Sequence, residues 1–211
     1  MHKLALVLAL SLIGVAPAHA DLVTVTASGQ VLFNGITTPP LNAVTAGQTV
    51  GVLFTVDSNN FLDGVPGDTR GYVIDQPSFT LAFSGGVTMG LLNPFPAGQT
   101  PYFTLVEGFP VSDGFFVSTS PLSPGGVPLA QTPYQFNLDL GYVGTTLASL
   151  NILDALGTYG FGGLTRFSMG LWQGFPDNVR MEIDFRSLTI SQSTVAVGAT
   201  TWGRVKSLFH E

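Results

Sequence analysis

Between Val50 and Val73 the chain reads VGVLFTVDSNNFLDGVPGDTRGYV, a strand-like run that leads into Asp57, Asn59, Asn60, Asp63 and Asp68. Calcium takes about six to eight oxygen ligands, commonly from Asp, Asn and main-chain carbonyls in irregular loops. Asp57, Asn59, Asp63 and Asp68 supply oxygens of that kind, so calcium or another hard cation is one reading of the segment. The spacing is not that of an EF-hand, because no D-x-D-x-D-G run is present and no glutamate closes the loop. Asp and Asn also fill ordinary turns, since their side chains bond nearby main-chain amides, and a plain polar turn is the competing reading. Asp177-Asn178 is either a second oxygen source or the start of the following strand.

Aromatic residues raise a different chemistry. Trp172, in the run Gly170-Leu-Trp-Gln-Gly-Phe175, is the candidate ligand-binding ring, with Tyr102, Tyr134 and Tyr159 as further candidates. Saccharide sites pair an exposed ring with amide or carboxylate hydrogen-bond partners. Against this, aromatic residues are enriched in strands, and large rings commonly fill cores.

Most catalytic chemistries lack their residues. The histidines are His2, His19 and His210, the lysines are Lys3 and Lys206, and cysteine is absent. Histidine-dependent and cysteine-dependent nucleophilic catalysis therefore have no core residue to use, and neither do the usual zinc sites. Paired carboxylates can hydrolyse glycosides, but the glutamates are only Glu107, Glu182 and Glu211. Glu182 lies between Arg180 and Asp184 on the polar face of a strand and reads as a charge-paired surface ladder. Glu107 and Asp113 flank a turn-rich stretch and form the weakest candidate pair. The sequence therefore predicts a protein that is not an enzyme.

The elements that must position these residues are strands. Val23, Val25 and Ala27 alternate with Thr24, Thr26 and Ser28; Val50, Val52, Phe54 and Val56 share a face, as do Phe79, Leu81 and Phe83. Phe136, Leu138, Leu140 and Tyr142 alternate with polar residues, and Val179, Met181, Ile183 and Phe185 oppose Arg180, Glu182, Asp184 and Arg186. A period of two marks half-buried strands. After Arg186 the apolar residues move to even numbers, at Leu188 and Ile190, which predicts a bulge or bend at Arg186-Ser187. The pattern predicts an all-β, antiparallel β-sandwich of jelly-roll type spanning residues 21–191. At most, short helices are expected near 147–156 and in the C-terminal tail, 192–211.

Residues 1–20, MHKLALVLALSLIGVAPAHA, have the basic start, apolar stretch and Ala-x-Ala ending of a secretory signal peptide. Its apolar stretch is too short to cross a bilayer. The remainder holds no run of membrane-spanning length, so the mature chain is expected to carry no transmembrane anchor. The 211 residues carry a formal net charge of −6, and no basic cluster appears, which argues against nucleic acid as a partner.

Gly47-Gln-Thr-Val-Gly-Val-Leu-Phe-Thr-Val-Asp57, followed by a polar loop and Gly71-Tyr72, resembles the opening of exported bacterial ectodomains of the PEP-CTERM type. Tyr102-Phe-Thr-Leu, Asp113-Gly-Phe-Phe-Val-Ser118, Leu156-Gly-Thr-Tyr159 and Met181 to Ile190 extend the resemblance. The Pro-Glu-Pro motif, hydrophobic helix and basic cluster of that family are missing; the sequence ends TTWGRVKSLFHE. The resemblance implies an exported β domain without that anchor, at the cell surface, in the extracellular matrix or in the periplasm. It assigns no functional residue. The expectations are a structural or adhesive role, with extracellular polysaccharide or other surface proteins as partners, or a carbohydrate-binding module, with or without calcium. A carboxylate-only glycoside hydrolase is the third reading.

Overall fold

The computed structural model describes residues 21–108, 112–173 and 179–193. Residues 1–20, read above as a signal peptide, Asp177-Asn178, and residues 194–211 with the expected terminal helix lie outside the described residues. Among those described, the strands are β1 (Leu22–Asn34), β2 (Thr49–Asp63), β3 (Thr69–Ile74), β4 (Thr80–Phe83), β5 (Thr88–Met89) and β6 (Tyr102–Val106). They continue with β7 (Ser112–Ser118), β8 (Val127–Pro128), β9 (Gln135–Val143), β10 (Gly157–Tyr159), β11 (Leu164–Trp172) and β12 (Arg180–Gln192). Two 3-10 turns, Leu41–Ala43 and Gln76–Ser78, are the only helical segments among them.

The all-β antiparallel expectation holds, but the strands do not divide into two facing sheets. β1 pairs with β2 along one edge and with β12 along the other. The ladder then runs through β11, β9, β7, β6 and β3 back to β2, closing an antiparallel barrel of eight strands. Each of the eight strands pairs along both of its edges, which closes the ring. β4 and β5 extend the wall beside β2, β8 adds to β9, and β10 adds to β12.

Alternation decides which side chains fill the barrel. Val23, Val25 and Ala27 of β1, Val52 and Phe54 of β2, and Phe136 and Leu138 of β9 are fully buried. Phe54, Phe103 and Phe115 make successive ring contacts at 5.5 Å and 5.9 Å across the interior. An eight-stranded barrel is about wide enough for side chains alone to fill it, and here the interior is a packed core. Arg180, Glu182 and Arg186 of β12 face outward and are exposed. At Arg186 the register against β1 slips: Ser187 opposes Ser28, whereas Phe185 opposes Gly29. Arg186 is thus the extra residue of a bulge, which returns Leu188 and Ile190 to the interior.

The lower end, where β9 ends and β11 begins, is plugged by residues 144–163. The apolar run Leu147–Leu156 consists of turns, not helix. Its main-chain groups bond to barrel side chains. Tyr72 donates its hydroxyl to the Leu150 carbonyl at 2.7 Å and accepts from the Ile152 amide at 2.9 Å. Asp113 accepts from the Leu147 amide at 2.7 Å. Leu147, Leu150, Ile152 and Ala155 are thereby held in the core. Gly71 belongs to this framework too: it is in strand β3, not in a turn. A Cβ there would lie 2.7 Å from Pro121 Cβ and 3.0 Å from the Tyr102 ring, so the residue permits a loop to pack on the outer wall.

Candidate functional site

Antiparallel pairing places Gln135, Trp172 and Arg180 side by side on the outer wall at the upper ends of β9, β11 and β12. The next outward row is Asn137, Gly170 and Glu182. The inward positions between these rows are Phe136, Leu171 and Met181, all in the core. The core residues thus orient the outward set, because neighbouring strand residues face opposite sides.

Gly170 leaves the middle of its row empty. A Cβ there would sit 2.3 Å from the Met181 carbonyl oxygen, so close approach of β11 and β12 requires glycine. The missing side chain opens a cleft of about 660 Å³ floored by Gly170, with Trp172 beside it and Asn137 and Glu182 on either hand. Ser168 and Gln135 complete the polar wall, and Gly125 contributes from the loop before β8. Trp172 is 43% exposed, a large indole left open to solvent in a concave setting. Asn137 is 4% exposed, and its Nδ2 donates to Ser168 Oγ at 2.9 Å, which fixes both heads at the floor. Arg180 Nε donates to Glu182 Oε1 at 2.6 Å. The cleft therefore offers an aromatic face, the three amides of Gln135, Asn137 and Gln173, a hydroxyl and a neutralised ion pair. Among the described residues, Glu182 is the one carboxylate that lines it.

The acidic segment takes a different form. β2 continues through Asp57, Asn59 and Asn60 to Asp63, so most of the segment is strand. Its register against β3 is irregular between Val56 and Phe61. Asp57 Oδ1 accepts the Asn59 amide at 2.8 Å, a local turn contact. Asp63 holds Arg70 through both oxygens, at 2.6 Å and 3.2 Å, with the guanidinium 4.0 Å above the Phe61 ring. Asp68 lies across the turn, its amide bonded to the Val65 carbonyl. Among the described residues no three acidic, histidine or cysteine side chains gather in a metal-binding group.

The remaining candidates serve the fold. Asp113 is buried and accepts the Gly108 amide at 2.8 Å as well as the Leu147 amide. Tyr102 and Tyr134 are buried, and Tyr159 donates its hydroxyl to the Ala155 carbonyl at 2.8 Å. Sequence reasoning located Trp172 but not its company. The polar alternation of Gln135 and Asn137 and a glycine inside a strand were the available signals; that they meet on one wall follows only from the pairing of β9 with β11. No protein-family model, curated protein or solved structure matches this chain.

Proposed function

We propose that the protein is an exported, non-catalytic β-barrel that holds a saccharide chain in the Trp172 cleft, acting as an adhesive or structural component of the cell surface or extracellular matrix. The observation that carries this reading is the open indole of Trp172 beside the unfilled Gly170 floor, flanked by Asn137, Ser168 and Glu182. Sugars combine apolar C–H faces with hydroxyl edges. An aromatic ring takes the first, and amide, hydroxyl and carboxylate groups take the second. Among the described residues a single carboxylate lines the cleft, already bonded to Arg180; this supports binding over hydrolysis, which uses two. Export rests on the N-terminal sequence. Cleavage after Ala20 would leave β1 whole, since Leu22 already pairs with Asp57.

Binding of the wild-type protein and of Trp172→Ala to a polysaccharide panel tests the proposal. Truncating a central aromatic anchor commonly costs about 2 kcal/mol, so the variant should bind roughly 30-fold more weakly. Its melting temperature should stay close to wild type, because the ring lies outside the core. Equal binding by both proteins would sink the reading.

A further inference from the structure

The charges around the cleft narrow the ligand class, given the saccharide reading above. Among the described residues the cationic side chains are Arg70, Arg166, Arg180 and Arg186, and each is paired within the protein. Arg70 holds Asp63 at 2.6 Å, Arg166 holds Asp139 at 3.0 Å, Arg180 holds Glu182 at 2.6 Å and Arg186 holds Asp184 at 2.9 Å. Three of these pairs, from Arg166, Arg180 and Arg186, stand on strands β9, β11 and β12, which form the cleft wall. An anionic sugar reaching Arg180 would stand beside Glu182, which already accepts from the guanidinium Nε and opposes a second negative charge. The other groups at the floor, Asn137, Ser168 and Gln135, are neutral. The chain's net charge of −6 adds a long-range repulsion of the same sign.

We infer that the cleft selects uncharged, hydroxyl-rich glycans and rejects uronate, sulfated and phosphorylated ones, with Glu182 as the excluding charge. Neutral sugars need no counter-charge. They use the donors and acceptors present, and their binding should be nearly independent of salt.

The test is affinity electrophoresis of the full exported chain through gels containing neutral glucans and galactans, polyuronates or sulfated galactan, at low and high salt. Wild type should be retarded by a neutral polymer equally at both salt levels, and not by the acidic ones. Glu182→Gln removes the opposing charge and leaves that of Arg180 uncompensated, so this variant should gain several-fold, salt-sensitive retardation by polyuronate. Retardation of wild type by an acidic polymer, lost in Trp172→Ala, would overturn the inference and leave the saccharide reading standing. A folded Glu182→Gln variant that still ignores polyuronate would overturn the role given to Glu182. Failure of every polymer to retard wild type would overturn both readings.

Discussion

Asp113 shows how a single carboxylate can serve structure where its type suggests chemistry. It is buried at the start of β7, and its two oxygens accept main-chain amides from Gly108 and Leu147. It thereby ties the lower plug to the barrel wall. A buried donor left without a partner costs about 1–3 kcal/mol. Asp113→Ala orphans the buried Leu147 amide, while the exposed Gly108 can turn its amide to water, and should destabilise the fold by roughly 1–3 kcal/mol, read as a lower midpoint in urea unfolding. Asp113→Asn keeps one acceptor and should fall between the variant and wild type; a silent Asp113→Ala would show that the plug is held by its apolar side chains alone. Exposed pairs obey a different scale. Arg180 and Glu182 have side chains 57% and 47% exposed, so their contact adds little to stability and matters instead for what the cleft admits.

At the level of the element, the bulge in β12 joins two halves of a strand whose apolar residues have opposite parity. Deleting Arg186 should turn Leu188 and Ile190 to solvent or shear the pairing with β1, and the chain should fail to fold cooperatively in thermal melts. Arg186→Ala keeps the residue count and removes only a surface contact, so it should melt within about 1 kcal/mol of wild type. A stable deletion variant would refute the register argument. The bulge was legible because parity changes at one residue. Strands β6 and β7 were harder to read, because Tyr102 to Leu105 and Asp113 to Ser118 are buried on both faces. With Pro121 packed outside Gly71 and Tyr102, the wall is covered there and the alternation disappears. The run Leu147–Leu156 carried an apolar signal that suits a short helix. Its main-chain groups found partners in Tyr72 and Asp113, which replace the bonds a helix would make within itself.

For the whole molecule, closure removes the long free edges that an open set of apolar strands would expose. Among the described residues, the strands outside the ring are short, with β5 and β8 two residues each. Apolar side chains fill the interior and β1 turns Thr24, Thr26 and Ser28 outward, while Leu32, Phe33, Leu53 and Phe167 stand exposed. No helix among the described residues is long and apolar enough to cross a membrane. The phenols that lock the lower end make the fold sensitive to alkali. Burial raises the pKa of Tyr72, Tyr142 and Tyr159 above the ordinary value of 10.0, that of Tyr142 to about 12. A neutral phenol favoured by the folded state stabilises it fully below pH 10, and that contribution is lost as pH rises towards about 12. Chemical denaturation between these values should show stability falling with pH, less steeply in Tyr142→Phe; a flat profile would contradict the burial argument.

The sequence by itself determined the strands with one apolar face, the bulge at Arg186, the absence of cysteine with histidine confined to positions 2, 19 and 210, and the singling out of Trp172. Each is a local property, set by period, residue type or parity, and local order carries it. Tertiary structure alone decided that β1 would pair on both edges and close a barrel, because edge partners are chosen by strand length and register across the whole chain. It also separated the fates of the polar residues. Asp63 went to Arg70 and Asp113 to main-chain amides, while Asn137 of β9, Gly170 and Trp172 of β11 and Glu182 of β12 became neighbours. The pairing of β9, β11 and β12 brings them together, and no periodicity within a single segment records that pairing.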